Sequence, residues 1–171
     1  MKLPLLQYGN PLLRTKAKNV ENITEETLQF IRDLEDTMRS FDGYGIAATQ
    51  VGKLVSIFLI APPIHGPNNT VTQAPCRAFI NPKLSNPSSE VWGHEEGNPV
   101  LPYITGQVVR PREITVTAQN IDGTWFTETF KDWPARVVMH ENDHLNGVLF
   151  IDRLSQKERN KLDPKLRALK K

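Results

Sequence analysis

The run His140-Glu141-Asn142-Asp143-His144 sets two histidines four residues apart. On a helix with 3.6 residues per turn that spacing stacks both imidazoles on one face, one turn apart. Flanking residues support a helix there. Pro134 suits a first helical position, where its missing N–H has no partner to lose. Gly147 sits where a left-handed C-terminal cap belongs. The pattern predicts a helix over residues 134–146. Two imidazoles so placed can reach one cation, and Glu141 beside them can hold a bound water as general base, the His-Glu-x-x-His arrangement. Only four histidines occur in the chain, and two fall on this pattern.

The rest of the 171-residue chain suffices for one domain with a real core. Residues 24–41 read as an amphipathic helix. Thr24 serves as its cap, Glu25 and Glu26 lie at its positive end, and Leu28, Ile31, Leu34, Met38 and Phe41 follow at helical spacing. Gly43–Gly52 reads as irregular backbone, Leu54–Ala61 as a buried strand, and residues 62–76, rich in proline, as a loop. Ala78–Leu84 and Glu90–His94 are strand candidates. Ile114–Ile121 turns at Asp122-Gly123 and returns through Thr124–Phe130, a hairpin signal. The expected fold is a single α+β domain over residues 1–171, with antiparallel strands around two helices.

Composition limits the function classes. Cys76 is the only cysteine, which excludes an intrachain disulfide and a Cys-based zinc finger. No run of about 18 apolar residues exists, so no membrane span is expected. The opening Met1-Lys2-Leu3-Pro4 lacks the apolar run of a signal peptide, making a cytoplasmic location the default expectation. A net charge of +2 gives no reason to expect DNA binding. The charge is uneven: Arg153–Lys171 holds eight Lys/Arg against Glu158 and Asp163, leaving −4 on the remainder. Residues 155–171 form a basic tail that could touch an RNA-rich surface such as a ribosome. The plainer reading is a solvated, frayed terminus, with Pro164 interrupting any helix in it.

Three segments together resemble the signature motifs of the peptide deformylases. They are Gly43-x-Gly45-x-Ala47-Ala48-x-Gln50, Glu96-Gly97-Asn98-Pro99-Val100-Leu101-Pro102, and His140-Glu141-Asn142-Asp143-His144-Leu145-Asn146-Gly147. Gly9-Asn10-Pro11-x-Leu13-Arg14, Ile80-Asn81-Pro82 and Phe150-Ile151-Asp152-Arg153 extend the likeness over nearly the whole chain. The resemblance implies a metallohydrolase that removes the formyl group from N-terminal formyl-methionine. It assigns His140 and His144 as ligands of a divalent metal, iron(II) by resemblance, with zinc, nickel or cobalt as alternatives. It assigns Glu141 as the proton carrier and Gln50 as donor to the developing oxyanion. Gly45 and Gly97 would meet the substrate, and Tyr44, Trp133 and Val137 would line the methionine pocket, although simple core packing accounts for Val137 equally well.

The second motif departs from the family's Glu-Gly-Cys-Leu-Ser-x-Pro. Glu96, Gly97, Pro102 and Arg110 fix the register, so the Cys position is Asn98 and the Leu position Pro99. A thiolate is thereby replaced by a neutral amide, a weak ligand through its oxygen. Pro99 lacks the backbone N–H that helps form the family's oxyanion hole, and losing one such donor costs roughly 10²–10³ in turnover. Cys76, 22 positions earlier, and His94, about 13 Å away along an extended strand, are poor substitutes. Glu96 could swing to a metal, but Arg110 is its expected ion-pair partner by resemblance. Thr105 stands where many relatives carry arginine. Two functions therefore remain: a deformylase-type hydrolase with weakened activity and a weakly held or missing metal, or a degenerate homologue that binds a peptide end or a ribosome. A generic zinc peptidase is more distant, resting on His-Glu-x-x-His alone.

Overall fold

The computed structural model describes residues 1–170. Helix α1 (Glu25–Arg39) begins where Thr24 and Thr27 cap each other, the Thr24 hydroxyl accepting from Thr27 N at 3.2 Å. It ends as Gly43 N donates to Met38 O at 3.1 Å. Ile31, Leu34 and Met38 form its buried stripe.

Five antiparallel strands make the main sheet, in the order β1-β2-β5-β8-β9: β1 (Gly45–Ala47), β2 (Ile57–Ile60), β5 (Arg77–Ser85), β8 (Glu113–Gln119) and β9 (Trp125–Lys131). The alternation in β8 turns Ile114, Val116 and Ala118 inward. On the other face Thr115 and Thr117 pair with Thr129 and Thr127 of β9. Every residue of β2 is buried, because α1 covers one side of it and helix α2 (Asp132–Leu145) the other. The helix starts two residues earlier than the sequence predicts. Pro134 is accommodated because first-turn N–H groups have no intrahelical partner.

Three expectations are corrected. Gly43–Gly52 is ordered as β1 followed by a 3₁₀ turn, Ala48–Val51, closed by Gly52 at φ 78°. The proline-rich 62–76 segment holds a small exposed hairpin, β3 (Pro63–His65) with β4 (Val71–Gln73). The basic tail is not frayed over its described residues: Gln156–Leu169 is a third helix, α3, with Pro164 inside it. Leu166 is buried in one apolar cluster with Tyr8, Leu13 and Leu101, and Leu162 and Leu169 pack against that cluster partly buried. Pro164 and Asn160 are both exposed, so the hydrogen bond that Pro164 cannot make is lost among solvent-accessible residues. Lys171 lies outside the described residues.

A second hairpin, β6 (Val91–Asn98) with β7 (Leu101–Pro111), packs across α2 from the main sheet. Pro102, Gly106 and Pro111 interrupt any alternation in β7. It forms because both strands of a two-stranded ribbon are edges, where proline is tolerated. The helix α2 thus lies between the sheet and this hairpin. Among the described residues no helix is long and apolar enough to cross a membrane.

Candidate active site

Ala135, Val138, Met139 and Leu145 anchor α2 to the sheet, which turns the opposite face toward β6. His140 and His144 project from that face with ring centroids 5.2 Å apart. Asn98, the last residue of β6, meets them across the gap: its Nδ2 lies 3.0 Å from His140 Nε2 and 2.7 Å from His144 Nε2. Asn98 Oδ1 accepts from Gln50 Nε2 at 3.2 Å and from Val100 N at 3.0 Å. Gln50, 1% exposed, is held in turn by Ala47 N, which donates to its Oε1 at 2.7 Å.

Glu96 orders the far side of His140. Its carboxylate accepts from Arg110 Nε and Nη2 at 2.7 and 2.9 Å, from Arg136 Nη1, and from His140 Nδ1 at 2.7 Å. With three donor groups upon it, Glu96 is not free to swing toward a cation. Arg110 reaches on to Asp143 at 3.0 Å, and Arg153 Nη2 joins Asp143 at 2.7 Å. Burial opposes charge on Glu96, but the His140 and Arg110 hydrogen bonds outweigh it and hold its carboxyl well below the usual range. Arg136 was not singled out by the motifs, although its position four before His140 puts it on the same helix face.

Glu141 is 4% exposed, and its Oε2 has no hydrogen-bond partner. Burial, reinforced by the negative charges of Glu96 and Asp143 against the pull of His140 and Arg110, pushes its pKa up to about 7. Gly45 makes room for it, since a Cβ at that position would lie 2.6 Å from Glu141 Oε1. Burial, then the neighbouring His140, holds the His144 pKa well below the ordinary imidazole value. For His140 burial also disfavours charge, but Glu96 and Glu141 outweigh it and raise its pKa. An Asn98 N–H on Nε2 nevertheless requires that ring to be neutral, with its proton on Nδ1 toward Glu96.

Above these groups opens a cleft of about 400 Å³, lined by Tyr44, Gly45, Gly97, Trp133 and Val137 together with His140 and Glu141. The five positions expected to bind the substrate and its methionine side chain are therefore brought to one cleft, while Gln50 and His144 are not among the residues that line it. Phe41 and His94 also line it, the His94 ring standing 4.5 Å from that of Trp133. Cys76 packs elsewhere, at the α1 side of the sheet. Thr105 pairs with Gly97 across the hairpin and is exposed. Pro99 occupies the turn between β6 and β7.

A divalent cation does not fit this donor set as arranged. Both imidazole Nε2 atoms are directed at an amide nitrogen, where a thiolate or oxygen ligand would be needed. Among the described residues no three His, Cys, Asp or Glu side chains converge as a metal-binding group.

The polypeptide deformylase family profile matches residues 2–160. The peptide deformylase of Pseudothermotoga lettingae is 40% identical over 158 residues, covering 92% of this chain and 86% of the relative. Peptide deformylase 2 of a Nostoc species is 42% identical over 156 residues, covering 89% and 86%. The crystal structure of Arabidopsis thaliana peptide deformylase 1B superposes with a TM-score of 0.88 at 31% identity, covering 99% of this chain and 90% of that one. The Ehrlichia chaffeensis peptide deformylase does so with 0.89 at 27%, covering 98% and 96%. The α+β architecture and the profile match over most of the length agree: this chain belongs to the polypeptide deformylase family.

Proposed function

We propose that this chain is a deformylase-type hydrolase acting on N-terminal formyl-methionyl peptides, with turnover at least about 10²-fold below that of a site with the full second motif. The observation that carries the reading is Glu141. It is buried at the base of the cleft, has no partner for Oε2, and has a pKa of about 7. Such a group can both take and return a proton near neutrality.

In the reaction, water oxygen adds to the formyl carbon, the carbon–nitrogen bond breaks, and formic acid, which ionises to formate, and a free amine result. Glu141 takes the water proton and delivers it to the departing nitrogen. Gln50 Nε2 carries two N–H donors, of which Asn98 engages one; the other is the donor this reading assigns to the developing oxyanion. Tyr44, Trp133 and Val137 give the cleft the apolar wall that a methionine side chain needs. The family is metal-dependent, with iron(II) its cation by resemblance. Because the Asn98 amide faces both histidines, no step here is routed through a metal. The exposed Lys157, Lys161, Lys165 and Arg167 on α3 support a ribosomal docking face.

The test is formate release from a formyl-methionyl peptide under anaerobic conditions, with and without added iron, nickel or cobalt, against Glu141→Ala. Release no faster than that of Glu141→Ala in every condition sinks the hydrolase reading. The second reading, binding of a peptide end without turnover, would then hold. It is favoured by Pro99, which supplies no oxyanion N–H, and by the amide on the histidine pair.

A further inference from the structure

We propose that Asn98 is a competitor for the metal position and not a ligand: its NH₂ group bridges His140 and His144, and a cation binds there only by displacing it. The orientation of the amide follows from groups whose donor character is fixed. Ala47 N–H donates to Gln50 Oε1, so the Gln50 NH₂ must face Asn98. Val100 N–H and Gln50 Nε2 both donate to one Asn98 atom, which must therefore be the oxygen. The nitrogen is left facing the two imidazoles, at 3.0 and 2.7 Å.

Each histidine can receive it at Nε2, His144 only with its proton on Nδ1, a buried atom that has no hydrogen-bond partner. Glu96, pinned by Arg110 and Arg136, is an acceptor at His140 Nδ1, so His140 presents a lone pair at Nε2. Both amide hydrogens thus meet acceptors and the oxygen meets two donors, which leaves the carboxamide fully satisfied. Offering Oδ1 to a cation would turn the NH₂ onto Gln50 Nε2 and Val100 N–H, two donors, and would forfeit both of their hydrogen bonds.

The neighbouring Pro99 takes part in this. Asn followed by Pro favours a turn in which the Asn oxygen accepts from the backbone two residues on, and Pro presets the backbone angle for it. The Val100 N–H to Asn98 Oδ1 contact is that turn. The two departures in the second motif therefore act as one device: Pro99 stabilises the turn, the turn pins the amide oxygen, and the pinned amide fills the gap between the histidines.

This reading is independent of turnover, and it opposes the weak-ligand reading in sign. The experiment strips the full-length protein of metal and measures Co²⁺ and Zn²⁺ affinity by competition with a chromophoric chelator, without peptide. Asn98→Ala deletes the competitor, so affinity should rise about tenfold or more, the equivalent of one net hydrogen bond released. Asn98→Cys should bind tighter still. Asn98→Ser provides a second variant should Asn98→Ala fail to fold. Its hydroxyl can keep the turn by accepting from Val100 N–H but is too short to bridge the imidazoles, and the same gain is expected. Weaker binding in Asn98→Ala or Asn98→Ser than in the parent would identify the amide as a ligand and overturn the proposal. Unchanged affinity would overturn it as well.

Discussion

Replacing Glu96 by Gln keeps the side chain's shape and removes one charge from a buried cluster. Glu96 is 7% exposed, and the two guanidiniums against it are 3% (Arg110) and 2% (Arg136) exposed. In the Glu96→Gln variant, Arg110 retains Asp143, while Arg136 retains no carboxylate, keeping the carbonyls of Val108 and Trp92 and the Trp92 ring face 4.4 Å away. One carboxylate oxygen becomes an NH₂ that must face an arginine N–H or the His140 Nδ1–H, whichever oxygen is replaced. Removing one partner of a buried ion pair costs about 3–5 kcal/mol, because the other charge stays buried without compensation. At about 2–4 °C per kcal/mol for a chain of this size, the melting temperature should fall by roughly 6–20 °C. Urea unfolding of the metal-stripped protein near neutral pH measures the loss, and an unchanged slope against denaturant shows that the comparison is between like states. The Arg136→Met change in the same background should recover about 1–3 kcal/mol of coupling in a double-mutant cycle. A Glu96→Gln loss below about 1 kcal/mol would refute the argument, since the carboxylate would then not be what compensates the two arginines.

Three further outcomes are expected. Gly45→Ala places a methyl 2.6 Å from Glu141 Oε1 and so displaces that carboxyl; formate release should drop by about 10²-fold, while urea unfolding shows a stability loss of under about 2 kcal/mol. Burial raises the Asp152 pKa, but Arg14 and the Leu149 N–H outweigh it and the net shift is downward. A lowered folded pKa contributes stability that is present above the unfolded value of about 3.9 and is lost as pH falls through the folded one, so Asp152→Asn should flatten the acid limb of a thermal-melting series below about pH 4. Leu166→Ala, at a position 3% exposed beneath α3, should cost about 2–5 kcal/mol in urea unfolding; a change within about 0.5 kcal/mol would mean that α3 is not docked.

What could be read from the sequence was what repeats at short range. The Thr24 cap, the apolar stripe of α1, the Asp122-Gly123 hairpin and the four-residue step from His140 to His144 each declare themselves within one or two turns of chain, and each was placed to within a few residues. The elements that escaped carry prolines or glycines whose local cost is outweighed by tertiary contacts. Leu166 keeps α3 helical through Pro164, and pairing with β6 keeps β7 extended through Pro102. The candidate site divides along the same line. Residue types at positions 50, 98, 140, 141 and 144 are visible in the motifs, and so is the missing thiolate. The direction of the Asn98 amide is not, because segments far apart in sequence decide it together with its own neighbours: the Ala47 N–H through Gln50, the adjacent Val100 N–H, and Glu96 through the tautomer of His140. An amide can be a ligand by its oxygen or an occupant by its nitrogen. Sequence fixes only that an amide is there, and the surrounding donors decide which end meets the histidines.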